Sequence, residues 1–229
     1  GLVGSEMCIR DSFTVTELQF CNPNRQRAES GLLSGAIASL QDWDGIYRFC
    51  YTHDFRALKR PVAMHGFDTV SDPILSLAER VTWFLFIRGD AASSGELIEY
   101  GIPMRNPPVR FPVEFQRLGL FSRIGSQLTA GEQGGTTLSS AAKNALDRFA
   151  ASGKMRSSTG ELELDVRNAV LRFQSPKSEG VILNRGNHDG TFLSVRRADG
   201  FASISIHSLD DKPLGESDSI LLFLSLIHI

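Results

Sequence analysis

The apolar residues of this chain recur with different periods in different places. Phe13-Thr14-Val15-Thr16 is aromatic and β-branched, which favours an extended strand, and Glu17 falls where that strand is expected to stop. After a Pro/Asn turn, CNPNRQ, the positions Ala28, Leu32, Leu33, Ala36, Ile37 and Leu40 follow helical spacing, and GIYRFCY at 45–51 returns to a near-continuous apolar run. Strand, helix and strand at this spacing predict a βαβ crossover, with the second strand in a parallel sheet covered by helices. A long loop follows. Asp72-Pro73 then makes a helix start, aspartate as cap and proline in the first turn, for ILSLAERVTWFLFIRG, whose wide apolar face predicts a largely buried helix.

Beyond Gly89 the pattern changes. Prolines cluster in GIPMRNPPVRFP, an amphipathic helix is expected at SSAAKNALDRFAAS, and the Gly/Ser-rich SGKMRSSTG intervenes before the next strands. From Glu161 the short alternating runs ELELDV, AVLRFQ, GVIL, TFLSVRR, FASISIHSL and SILLF are separated by Gly, Asn and Asp turns, the pattern of an antiparallel sandwich. The chain therefore divides into 13–90 with parallel-sheet character, a connecting region at 91–160 with one helix, and a β-rich part at 161–223.

The two ends fit none of these patterns. In a codon reading, GLVGSEMCIRDS and LSLIHI resemble the translation of a sequencing-library adapter in opposite orientations, so residues 1–12 and 224–229 are set apart as adapter-derived. Without Glu6, Arg10 and Asp11 the formal charge of −2 becomes −1. A chain this near neutrality gives no electrostatic case for nucleic acid or an anionic membrane. The run ILLFLSLIHI is far shorter than the roughly 20 apolar residues of a spanning helix. Setting Cys8 aside with the first segment leaves Cys21 and Cys50, too few for a disulfide framework or a cysteine-rich zinc site; both are expected as small buried residues.

Candidate chemistry centres on Glu17, because a carboxylate at the C-terminal end of a parallel strand occupies the edge where barrel enzymes place catalysis. The stretch VTELQFCNPNRQRAESGLLSGAIASLQDWDGIYRFCYTHD resembles the last two strand-helix units of a (β/α)8-barrel retaining glycoside hydrolase, clan A-like and of the cellulase, β-galactosidase or agarase type. AERVTWFLFIRGD is similar to the helix that closes such a barrel. The resemblance covers residues 13–90 strongly and the β-rich part loosely. It departs at Leu18-Gln19-Phe20, where relatives often carry an aromatic residue and Asn or Gly.

The resemblance implies a truncated (β/α)8 barrel followed by an antiparallel β-sandwich, an enzyme cleaving glycosidic bonds of a polysaccharide or oligosaccharide with retention, and Glu17 of Thr16-Glu17 as nucleophile. A retaining mechanism needs two carboxyls about 5–5.5 Å apart, one ionised and one protonated. The acid/base of the resembled family ends the fourth strand, outside this stretch, so the fragment alone is expected to be inactive. Tyr51, His53 and Asp54 end the second strand and would face the same opening as substrate-binding residues; packing and local turn roles are equally open to them. The resemblance also implies an extracellular or periplasmic setting. The competing expectation is a non-catalytic carbohydrate-binding or scaffold protein.

Other residues are read structurally: Trp43 as packing, Asp44 as a turn residue, His188-Asp189 in RGNHDGT as a hairpin turn and Asp210-Asp211 as a solvated turn. No phosphate-binding glycine loop, nucleophile elbow or zinc-helix motif occurs, so no metal and no cofactor is expected.

Overall fold

The computed structural model describes residues 13–63, 65–130 and 134–226; the whole of the first segment set apart, 1–12, and the end of the second, 227–229, lie outside the described residues. Strand β1 (Thr14–Leu18) leads through a 3-10 turn, Arg25–Glu29, into helix α1 (Ser30–Leu40) and back to β2 (Gly45–Arg48). β1 and β2 pair in parallel, with Thr14 opposite Gly45 and Val15 opposite Ile46, as the βαβ spacing predicts. The strand expected through 51 stops at Arg48. Tyr47 on it is 63% exposed, so helices do not cover both faces of this pair.

Helix α2 (Pro73–Thr82) begins where Asp72 predicts: the Asp72 side chain accepts from the amides of Ile74 and Leu75, and Pro73 needs no amide partner in the first turn. Its last turn widens into a π-helical segment, Trp83–Ile87. Leu75, Ala78, Val81, Phe84 and Leu85 are buried but Leu77, Trp83 and Ile87 are exposed, so the helix is amphipathic rather than largely buried. α1 lies against it at very short range. A Cβ on Gly31 would sit 2.4 Å from the Ala78 carbonyl oxygen, and one on Gly35 would sit 2.9 Å from the Leu85 Cβ. Arg27 and Asp72, both buried, form an ion pair at 2.6 Å that ties the turn before α1 to the start of α2.

The region 91–160 holds more structure than its prolines suggest. β3 (Leu97–Pro103) and β4 (Arg123–Thr129) form a second parallel pair across helix α3 (Val113–Leu118), and α4 (Ser140–Ser152) is the amphipathic helix expected there. Ile98, Tyr100, Phe115, Leu118, Ala142, Ala145 and Met155 make a core of their own. Gly153 closes α4 in the left-handed conformation at φ 75°, which glycine adopts without a Cβ clash. The Gly/Ser-rich stretch after it is β5 (Lys154–Arg156), an edge strand of the main sheet.

Six antiparallel strands, ordered β10-β9-β8-β7-β6-β5, form that sheet: β5, β6 (Leu162–Asp165), β7 (Val170–Gln174), β8 (Ser178–Asp189), β9 (Ser194–Ser208) and β10 (Ile220–Leu226). The truncated (β/α)8 barrel and β-sandwich expected from the resemblance are therefore corrected. Each parallel pair stands as its own two-stranded sheet, and each antiparallel strand pairs with its sequence neighbours in one meander, so among the described residues no second antiparallel sheet completes a sandwich.

The place of that second sheet is taken by helices. Leu32, Ala36 and Leu40 of α1 and Val81, Phe84 and Leu85 of the α2 segment pack on Leu162, Leu171, Phe173, Ile182 and Phe223. The opposite face carries Val170, Val181, Leu183, Ala202, Ile204 and Ile206, covered by Leu193 and Leu214 from loops. Adjacent residues such as Val181 and Ile182 serve opposite cores, as the two-residue period of a strand requires.

TFLSVRR and FASISIHSL are not separate strands. Gly200, at φ 131°, carries β9 through the expected turn, and β8 keeps pace by register shifts beside Leu183 and Gly186. β10 likewise runs on into the segment set apart as adapter-derived, with Leu224, Ser225 and Leu226 paired to Ile204, Ser203 and Ala202. Backbone pairing needs only extended residues beside an open edge. No helix among the described residues is long and apolar enough to cross a membrane.

Candidate functional site

Because β1 and β2 run in parallel, their C-terminal ends open at one edge, and the segment after β2 is held there by a second loop. The Cys50 amide donates to the Phe67 carbonyl at 3.1 Å, and the amides of Thr69 and Val70 donate to the carbonyls of Cys50 and Tyr51 at 3.1 and 3.0 Å. The Asn22 amide donates to the Gly66 carbonyl at 2.8 Å, which fastens the same loop to the exit of β1. The peptide bonds Asn22-Pro23 and Phe49-Cys50 are both cis. Gln19 braces the arrangement: its Nε2 donates to the Phe67 carbonyl at 3.1 Å and to Thr69 Oγ1 at 2.9 Å. The glutamine at which the sequence departs from the resembled family is thus a strut between β1 and the loop.

Asp68 is the buried centre of this edge, 1% exposed. It accepts from the His53 amide at 3.1 Å, from Thr52 Oγ1 at 3.1 Å and from His53 Nδ1 at 2.6 Å, and His65 Nδ1 lies 3.6 Å from the same Oδ1. Burial alone would raise its pKa; the hydrogen bonds from the His53 side chain and amide, Thr52 and Cys50 outweigh burial and hold the carboxyl below its ordinary range. Cys50 Sγ is 3.1 Å from His53 Nδ1 and 3.6 Å from Asp68 Oδ1. Its thiol is pushed up by desolvation, then by the Asp68 charge and hydrogen bond. Neither Cys50 nor Cys21 is buried; both are partly exposed.

Aromatic rings surround the cluster. His53 and His65 lie with centroids 4.8 Å apart, Phe49 meets His53 edge-on at 5.3 Å, and Phe49 meets Phe67 at 6.0 Å. Tyr51 and Phe55 are 61% and 69% exposed beside them. Rings left in water at a rigid edge present apolar faces to a ligand.

The expected site residues share this edge but have different surroundings. Glu17, next to last in β1, is exposed and makes no side-chain hydrogen bond or ion pair among the described residues. Tyr51 is free for stacking. His53 is anchored to Asp68. Asp54 is engaged: it caps the 3-10 turn Phe55–Leu58 through the Arg56 amide at 2.9 Å and pairs with the Arg56 guanidinium at 2.7 Å, and the side-chain and backbone bonds from Arg56 hold its pKa down. Reading the sequence along the chain missed Asp68, His65, Cys50 and Gln19. Asp68 and His65 stand in HGFD at 65–68, in the long loop expected between β2 and α2, where no short motif marks them.

Elsewhere, His188 and Asp189 close β8 rather than forming the turn, which begins at Gly190. His188 is buried and its pKa is lowered, first by desolvation and then by the Arg172 charge. Trp43 packs against Phe13 with centroids 5.5 Å apart. No protein-family model matches the chain, and no similar curated protein or solved structure is found.

Proposed function

We propose that the β1/β2 edge is the saccharide-handling surface of a retaining glycoside hydrolase, with Glu17 as nucleophile and Tyr51 as a stacking face. One observation carries the reading: the parallel β1-α1-β2 unit places an unpaired, exposed carboxylate and a group of exposed aromatic rings at the same strand ends. Sugars present C–H faces that pack on such rings, and hydroxyls that suit the polar groups of His53 beside them. In this reading Glu17 attacks the anomeric carbon, and the leaving oxygen takes its proton from a separate acid. Asp54 and Asp68 do not fill that second role. Both are held below the usual carboxylate range and stay ionised at neutral pH.

The test follows from this asymmetry. A nucleophile with no acid partner still reacts when the leaving group departs unprotonated, so a 2-deoxy-2-fluoro glycoside bearing dinitrophenolate is expected to label the chain once, at Glu17. Peptide mass mapping locates the adduct, and Glu17→Gln removes it. Tyr51→Ala is expected to weaken oligosaccharide binding about tenfold or less, the range of one stacking contact. If a panel of such glycosides gives no adduct on Glu17, the nucleophile assignment fails; oligosaccharide binding that survives without it would favour a non-catalytic binding protein.

A further inference from the structure

Cys50, His53 and Asp68 combine a thiol, an imidazole and a carboxylate, the members of a nucleophilic triad, but their geometry does not relay a proton. In a relay the nucleophile addresses one imidazole nitrogen and the carboxylate the other. Here both converge on Nδ1: Cys50 Sγ at 3.1 Å and Asp68 Oδ1 at 2.6 Å, while Nε2 lies farther from the sulfur at 3.7 Å. Nδ1 carries at most one proton. If that proton points to Asp68, nothing remains on the nitrogen for the sulfur, and the Cys50 hydrogen bond to Asp68 is long at 3.6 Å. One ligand atom from each of the three residues lies within 4.8 Å of the others.

We propose that Cys50, His53 and Asp68 form a binding site for a borderline-soft divalent cation such as Zn²⁺, with His65 placed to supply a fourth ligand. A thiolate, an imidazole and a carboxylate are the donors that zinc prefers. Around a tetrahedral zinc, sulfur and oxygen donors stand about 3.5 Å apart, close to the Cys50–Asp68 separation, and nitrogen and oxygen about 3.3 Å apart. Loading therefore opens the His53–Asp68 contact by roughly 0.7 Å, and the side chain that moves is the 40%-exposed His53 rather than the buried Asp68.

Asp68 keeps its outer bonds from Thr52 Oγ1 and the His53 amide, which orient the carboxylate as a second shell does in metal sites. His65 Nδ1 lies 3.6 Å from Asp68 Oδ1, and the His65 ring is tilted 46° to the His53 ring with centroids 4.8 Å apart. The sequence spacing, Cys-x-x-His with an aspartate fifteen residues after the histidine, is not a familiar zinc motif, and so gives no sign of a metal on its own. This inference shares His53 with the proposed saccharide surface but not Glu17 or Tyr51, so loss of the metal site and loss of the Glu17 adduct are read separately.

Titration of the full chain with Co²⁺ under reducing conditions tests it. The expected result is one equivalent bound, with tetrahedral d–d bands and a thiolate-to-cobalt charge-transfer band, both removed by competing Zn²⁺. Cys50→Ser is expected to abolish the charge-transfer band, His53→Gln to weaken binding at least tenfold, and Cys21→Ser to change neither. Cys50 and His53 are partly exposed, so these variants should keep the circular dichroism of the parent. A folded chain that takes up no Co²⁺ overturns the proposal, as does a charge-transfer band that survives Cys50→Ser.

Discussion

Among the described residues, two places assemble histidine, aspartate and a potential nucleophile, and they serve opposite ends. At the β1/β2 edge, Cys50, His53 and Asp68 meet in a partly open cluster. At the seam between the α2 segment and the main sheet, Asp90, Ser178 and His207 meet with no water contact: Ser178 Oγ donates to Asp90, His207 Nδ1 lies 2.7 Å from the same Oγ, and His207 Nε2 lies 2.9 Å from Ser205 Oγ. Since Ser178 gives its proton to Asp90, the hydrogen-bond network assigns the His207 proton to Nδ1, donating to Ser178, and leaves Nε2 to accept from Ser205. The ring stacks on Phe84 at 4.6 Å, and Arg88 pairs with Asp90. Burial pushes the His207 pKa down to about 4, against a smaller upward pull from Asp90. No buried side-chain nitrogen or oxygen of Asp90, Ser178, Ser205 or His207 lacks a hydrogen-bond partner. At the edge the donors compete for one nitrogen and His53 reaches solvent. The same residue types thus give a structural clasp in one place and a ligand-seeking cluster in the other, and access together with proton count makes the difference.

The largest effect expected from breaking this contrast is on the clasp. Asp90→Ala removes the buried carboxylate that the partly buried Arg88 guanidinium and the buried Ser178 hydroxyl share, which should cost about 3–5 kcal/mol. The melting temperature should fall by on the order of 10 °C, with calorimetry as the readout. A loss below 1 kcal/mol would show the clasp to be incidental.

Acid acts on the same place. His207 takes up its proton near pH 6.5 when unfolded but only near pH 4 when folded. The unfolded state therefore binds more protons between these values, and stability is full above about pH 6.5 and falls as the pH drops towards 4. The loss amounts to ~3 kcal/mol from this residue. Urea unfolding at pH 7 and pH 4 measures it, and His207→Leu should remove that part of the pH dependence.

Packing of the scaffold beneath both clusters comes next. Gly31→Ala drives a methyl group into the Ala78 carbonyl and should cost about 1–3 kcal/mol while leaving the edge chemistry intact. The smallest thermodynamic effect is expected at the edge itself, where Cys50→Ser and His53→Gln should each change stability by less than ~1 kcal/mol while altering Co²⁺ binding. A large destabilisation by either variant would make the edge a second clasp and erase the contrast.

Local elements of the fold were legible where one short-range rule decided them. The Asp72-Pro73 start of α2 and the period of α1 followed from residues within a few positions of one another, and the parallel pairing of β1 with β2 from the strand-helix-strand spacing. β3 was hidden because prolines near LIEYGIP masked its alternation, and the expected turn within β9 failed because Gly200 extends the strand instead. Of the candidate site, Glu17 could be named from the end of β1 and Tyr51, His53 and Asp54 from the apolar run after Gly45, although β2 stops at Arg48, whereas Asp68 and His65 could not, since their relation to His53 depends on how a loop folds back.

By itself, then, the sequence determined the local conformations: caps, helical periods, and the succession of β1, α1 and β2. Only the tertiary structure decided that the antiparallel strands remain one sheet backed by α1 and α2, because that depends on which apolar faces meet once neighbouring strands have paired. It also decided that Cys50, His53 and Asp68 share one nitrogen. A chain specifies its neighbours along the backbone directly, but it specifies contacts across space only through the packing that brings distant segments together.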